Sequence, residues 1–224
     1  MTKKTQRTER RSDALSKERI VEAAIEILDA EGENALTFRA LAARLATGAG
    51  AIYWHVADKS ELLTAATDHI IGRIMLDADS GPEDGIRAVA IGIFDAIDAH
   101  PWVGAQLSRE PQQLAMMQIF ESVGGRLQAL GVAEGAQFDA ASALVYYILG
   151  AAAQNAANAR LSLAGGDRSA SLAGIAARWA QLDPARFPFI HKVAPHLPEH
   201  DDRAQFLAGI DLLLAGIAAV QRGT

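Results

Sequence analysis

Apolar residues recur every three or four positions along nearly the whole chain, and strict two-residue alternation is almost absent. Three-to-four spacing is the period of an amphipathic helix, whereas strands need a period of two. The expected fold class is therefore all-α. Ile20, Ala23, Ala24, Ile27 and Leu28 mark a first helix after Ser16, and Gly32 stops it. Thr37 can cap a short second helix that turns Phe38, Leu41, Ala42 and Leu45 inward, and Gly48–Val56 holds a third, very short one. Asp58 begins a fourth, with Glu61 at capping-box spacing and Leu62, Leu63, Ala66, Ile70, Ile71 and Ile74 on one face. Further helices are expected near 83–99, 111–129, 134–161, 169–182 and 201–221. Gly165–Gly166–Asp167 and the proline-bearing stretch 184–198 read as mobile loops.

The chain has 224 residues, half of them hydrophobic, which suffices for a sizeable core. It has no cysteine, so disulfides, thiolate catalysis and thiolate metal sites are excluded. Lys3 to Arg11 is basic, but Glu18, Glu22, Glu26 and Asp29 come soon after it, which is not the pattern of a signal peptide. The apolar runs at 143–153 and 212–220 are too short to span a bilayer, so a cytoplasmic protein without a membrane partner is expected.

Charge is unevenly spread. Residues 1–60 hold 10 Lys and Arg against 9 Asp and Glu, while the remainder holds 11 against 18. A weakly basic head on an acidic body suits a head that meets a polyanion.

Two short helices joined by a tight turn, beneath a preceding helix, make a helix-turn-helix, whose second member enters the DNA major groove. Small residues at 48–51 would let that helix sit deep, with the aromatics Tyr53 and Trp54 packing it onto the core and touching the DNA backbone. The run "RIVEAAIEILDAEGENALTFRALAARLATGAGAIYWHVADKSELL" resembles the DNA-binding domain of the tetracycline-repressor (TetR) family. Tetracycline repressors share the local run Tyr53-Trp54-His55-Val56 and the later Lys59. Residues 1–15, polar and basic, cannot bury surface and read as a disordered arm. The resemblance implies a three-helix DNA-binding domain over 16–62 and a larger helical effector-binding and dimerisation domain over 63–224.

It also implies that Thr37, Tyr53, His55 and Lys59 contact phosphate and that Arg39 reaches a base edge. Lys59 is a point charge beside a helix N-terminus, and Arg39 can pair bidentately with guanine. Trp54 fits the core better than a contact, because an indole is a large apolar group. His55 fits either a phosphate ligand or a packing residue. One departure matters: Ala49, Gly50 and Ala51 stand where tetracycline repressors carry polar or proline side chains. Direct readout must then lean on Arg39, Thr47 and alanine–thymine methyl contact, with DNA shape supplying the rest. The basic arm reads equally as a DNA contact or a solubilising tail.

The segment "RAQFLAGIDLLLAGIAAVQ" resembles, more weakly, the last helix of tetracycline-repressor regulatory domains. The resemblance implies a homodimer in which this helix and the long 134–161 helix form a four-helix bundle with their copies. Leu144, Ala151, Ala152, Gly209, Leu212, Leu213, Gly216 and Ile217 are the expected interface residues. An effector pocket is expected from Trp102, Met116, Met117, Phe120, Tyr146, Tyr147 and Asn155, apolar with a few polar handles. The polar drug contacts of tetracycline repressors do not carry over, since Ile74 and Val89 stand in their place and no histidine falls near 107. The expected effector is therefore less polar than tetracycline–magnesium. His191, His196, His200, Asp201 and Asp202 gather in one stretch, but Pro195 and Pro198 break any helical ligand spacing, so no metal and no cofactor is implied. The expected function is a repressor on a palindromic double-stranded operator, released by a small effector, and not an enzyme. The rival is a helical ligand-binding or enzymatic protein whose helix-turn-helix is only a scaffold.

Overall fold

The computed structural model describes residues 15–76, 81–163 and 168–222, and every regular element among them is helical. The expected arm up to residue 14 and the Gly165–Gly166–Asp167 loop lie outside the described residues. The α-helices are α1 (Lys17–Glu31), α2 (Phe38–Arg44), α3 (Ala49–Ile52), α4 (Lys59–Leu76), α5 (Pro82–Ala99), α6 (Pro101–Arg109), α7 (Leu114–Ala129), α8 (Glu134–Leu163), α9 (Arg168–Ala180), α10 (Pro188–Val193) and α11 (Asp202–Arg222). Single 3₁₀ segments stand at Glu33–Ala35 and Ala194–Glu199.

Some expectations need correction. The stretch expected as one helix from 111 begins only at Leu114, and a separate helix, α6, precedes it. Pro101, read as punctuation, is instead the first residue of α6, where a missing N–H costs nothing. The stretch 184–198 is largely helical, carrying α10 and a 3₁₀ segment. Finally, Asp202–Gln221 is long and apolar enough to cross a bilayer by length and composition alone, which the shorter run at 212–220 did not reveal.

Local chemistry sets the helix ends. Ser16 Oγ accepts from the Arg19 N–H at 3.3 Å, and Thr37 Oγ1 from the Ala40 N–H at 3.1 Å. At α4 Asp58 Oδ1 accepts from the Glu61 N–H at 2.8 Å, as in a capping box, and Glu61 Oε2 reaches one residue further back and accepts from the Ala57 N–H at 2.8 Å. The Ala57 N–H first, and then Lys17 at 2.7 Å from Glu61 Oε1, hold the Glu61 carboxyl below its ordinary pKa. Gly32 closes α1 at φ 79°, a conformation L side chains rarely adopt.

The chain divides into two compact units. The first comprises the described residues up to Arg73 with Trp102–Met117, and the second comprises Ile74–Pro101 with the described residues from Gln118. In the first, Ile20, Ala24 and Ile27 of α1 join Leu41 of α2, Ile52 of α3 and Leu62 and Ala66 of α4 in the core, all but solvent-free. Fully burying each large aliphatic side chain stabilises by about 1.5–3 kcal/mol. In the second, α5 packs on α8 and α8 on α11. Each presents a stripe at helical spacing: Ile86, Val89, Ile93 and Ile97; Leu144, Ile148 and Ala152; Phe206, Ile210 and Leu214. Arg87 on α5 ties to Asp211 on α11 at 2.8 Å, and that bond leads the causes that raise its pKa.

Candidate nucleic-acid interface

The left-handed residue in the turn between α2 and α3 is not a glycine. Ala46 adopts φ 50°, its N–H donates to the Ala43 carbonyl at 3.3 Å, and the Thr47 N–H donates to the Ala42 carbonyl at 3.0 Å. These two bonds form a Schellman motif, in which glycine is the usual left-handed residue. The motif stops α2 and reverses the chain so that Gly48 can start α3.

Four-residue α3 anchors itself through Ile52, which is fully buried. Gly48 and Gly50 are exposed, and a Cβ built on either would meet nothing within 4 Å. Nothing inside the chain therefore requires these glycines, although glycine within a helix costs roughly 0.5–1 kcal/mol relative to alanine.

Beside them lie side chains able to donate to an anion. Arg39, on the first turn of α2, is exposed, and its guanidinium has no partner among the described residues. Two other arginines of this unit are engaged: Arg44 with Glu26 and Arg109 with Glu33, both at 2.7 Å. Thr37 is exposed, and its cap bond uses an oxygen lone pair, leaving the O–H to donate outward. Tyr53 stacks on Phe38, ring centroids 4.3 Å apart and planes 4° from parallel, and remains 57% exposed. Trp54 corrects the core expectation: it is 90% exposed. Ile52 and Val56 fill the interior at this turn, so the intervening aromatics point out. Thr47, Ala49, Ala51 and His55 are all half-buried. Lys59, first residue of α4, gives its ammonium to the Glu33 carbonyl at 2.5 Å.

The expected effector residues are spread over both units. Trp102 belongs to the first unit, where it is buried and its indole N–H donates to Asp29 Oδ1 of α1 at 2.8 Å. Met116 is buried and Met117 exposed, also in the first unit. In the second, Phe120 is half-buried and Tyr146 is exposed. Of the seven, Tyr147 and Asn155 share a cavity, a cleft of about 490 Å³ between α5, α8 and α11. Sequence reasoning missed its other amides, Gln154, Asn158 and Gln205, although Gln154, Asn155 and Asn158 sit at the spacing of one helix face.

Of the expected interface residues, Leu144 and Ala152 have no exposed area and belong to the chain's own core. Leu212 is 75% exposed, and Leu213, Gly216 and Ile217 line an apolar groove of about 470 Å³ with it and the first turns of α8. Ala151 and Gly209 lie instead in the amide-rich cleft. Among the described residues, no three His, Asp or Glu side chains are placed to hold a metal ion.

Comparison with known proteins identifies the family and the fold. Residues 20–66 match the family described as bacterial regulatory proteins, tetR family, and residues 82–221 match the tetracyclin repressor-like C-terminal domain. An HTH-type transcriptional regulator of Saccharopolyspora erythraea is 33% identical over 213 residues, covering 92% of this chain and 85% of that one. Among solved structures, the transcriptional regulator SCO7222 of Streptomyces coelicolor superimposes with a TM-score of 0.85 at 51% identity, over 92% of this chain and 99% of that one. The Mycobacterium smegmatis protein BioQ, solved with its natural double-stranded DNA operator, does so with a TM-score of 0.63 at 28% identity, over 92% and 99%.

Proposed function

The chain belongs to the tetR family of bacterial regulatory proteins, and from that premise we propose that it is a repressor that binds a two-fold symmetric DNA operator as a homodimer and leaves it when a small effector binds. As a regulator of transcription it works in the cytoplasm, with the DNA.

The observation that carries the reading is the outer edge of α2 and α3. A guanidinium without a partner among the described residues, a free hydroxyl, two exposed aromatics and a glycine backbone with open space above it stand within one helix-turn-helix. Arg39 takes a base edge, where a good bidentate pair discriminates by about 1–3 kcal/mol. Thr37, Tyr53 and His55 position the head on phosphates. Trp54 joins them, since an indole N–H in solvent can donate to a phosphate oxygen. Lys59 adds charge from its place at the N-terminus of α4. Ala49, Gly50, Ala51 and Thr47 allow close approach.

The second copy packs on the apolar face of α8 and α11. Support comes from Leu212, Val220, Phe138 and Tyr146, each more than 60% exposed on these two helices. Contiguous apolar surface of this kind marks an interaction site. The contact uses Leu212, Leu213, Gly216 and Ile217, while Leu144 and Ala152 hold α8 to its own chain and Ala151 and Gly209 line the neighbouring cleft. Pairing sets two heads at the spacing of successive major grooves, about 34–36 Å. Effector binding in the second unit changes that spacing through α4.

A gel shift with the DNA upstream of the chain's own gene tests the reading. Retardation that resists competition by unrelated duplex is expected, and its absence at low salt counts against repression.

A further inference from the structure

The 490 Å³ cleft between α5, α8 and α11 falls in the size range of small-molecule sites. Phe94, Phe206 and Tyr147 pack at one side, with centroids 4.6 and 5.7 Å apart, and the Tyr147 hydroxyl donates to the Phe206 carbonyl at 3.1 Å. Around them the lining is rich in amides. Gln154 Nε2 donates to Asn158 Oδ1 at 3.1 Å, and Asn155 Nδ2 donates to Asp98 Oδ1 at 2.9 Å. Those bonds leave Gln154 Oε1, Asn155 Oδ1 and both ends of the Gln205 amide without a partner among the described residues. Donors and acceptors are thus both on offer.

Charge decides what kind of guest fits. Among the lining residues Asp202 is the one carboxylate, and it is already matched by Arg168, with His200 Nε2 3.2 Å from its Oδ1. Asp95 of α5 pairs with Arg203 at 3.1 Å, and Asp98 holds an amide rather than a cation. With that one lining carboxylate already paired, the lining offers no unmatched charge to an anion or to a cation.

We infer that this cleft is the effector site and that its ligand is neutral, with a flat ring body edged by hydrogen-bonding oxygen or nitrogen. The inference rests on the reading of the chain as an effector-responsive regulator and specifies its input. It also supplies an output, because Leu212 lines both this cleft and the apolar groove given to the second copy. A guest here changes the packing of a residue at the subunit contact.

Three dansyl probes of one ring system separate the possibilities: dansylamide is neutral, dansylglycine anionic and dansylcadaverine cationic. Titrated into the full chain and followed by emission, dansylamide is expected to bind about ten-fold more tightly than either charged probe, which must bring an uncompensated charge into the cleft. Gln205→Ala and Gln154→Leu change exposed side chains, so both variants should fold normally, and each is expected to weaken dansylamide binding about five-fold through a lost hydrogen bond. Equal binding of the three probes, no binding of dansylamide, or dansylamide binding unchanged in both variants overturns the inference. A gel shift on the same preparation separates the two claims. Operator binding without dansylamide selectivity sinks only the ligand assignment, whereas no operator binding sinks the regulator.

Discussion

Ala46 and Gly131 hold the same place in the same backbone motif. Gly131 follows α7 at φ 79°, with its N–H on the Gln128 carbonyl at 2.9 Å and the Val132 N–H on the Leu127 carbonyl at 3.1 Å. Ala46 repeats that pair of bonds after α2 at φ 50°. Only the alanine carries a steric cost, since an L side chain in the left-handed region loses roughly 1–2 kcal/mol. Ala46→Gly is therefore expected to stabilise the chain by about 1 kcal/mol, and Gly131→Ala to destabilise it by a similar amount, roughly as the steric penalty and chain entropy combine. Urea unfolding measures both. A destabilised Ala46→Gly would mean that stiffness in the turn outweighs the strain.

Trp54 is predicted to serve the ligand of the head rather than its core. Trp54→Ala should leave unfolding within about 0.5 kcal/mol of the wild type, as expected of a solvent-facing side chain. DNA affinity should fall about five-fold, in keeping with one lost hydrogen bond. Melting and anisotropy titrations on the same sample decide it. A large loss of stability with unchanged affinity would return the indole to the core.

Gly50 sets stability against function. With open space where its Cβ would stand, Gly50→Ala should raise stability by roughly 0.5–1 kcal/mol. The same methyl should hold α3 off the duplex and weaken DNA binding. Improvement in both would show that close approach is not why the glycine is there.

Asp68 gives a pH signature. Burial lifts its carboxyl above the ordinary range, although the Ala115 N–H donating at 2.9 Å pulls the other way. A group with a raised folded-state pKa adds stability below its unfolded value and loses that contribution as pH rises through the folded one. At neutral pH the ionised carboxylate is a burden. Asp68→Asn keeps an acceptor for Ala115 and should raise the melting temperature at neutral pH, with the gap shrinking as pH falls towards about 4, near the unfolded Asp value. A gap that stays constant across that range would contradict the assignment.

Much of this fold was legible because helix ends are written in short-range chemistry. Ser16, Thr37 and the Asp58–Glu61 pair announce their helices, and each makes the expected cap bond. Helix α6 was missed because Pro101, directly after His100, looks like a break until the helix behind it is known to exist. The third helix was placed, but not the outward turn of Trp54, since exposure depends on Ile52 and Val56 taking the interior. The expected effector residues scatter for a related reason. Trp102 and Tyr147 are both large and half-polar, and no local pattern says that one bonds Asp29 in the first unit while the other lines a cleft in the second.

The account stands most directly on Arg39. Anisotropy titrations with the duplex upstream of the chain's own gene, and with a scrambled duplex, should be run at several salt concentrations for the wild type, Arg39→Ala and Lys59→Ala. Arg39→Ala is expected to lose about 1–3 kcal/mol of the preference for the upstream duplex. Lys59→Ala should weaken both duplexes alike and lower the salt slope by about one. Arg39→Ala that discriminates as well as the wild type would contradict the central claim that the open edge of α2 and α3 reads DNA sequence.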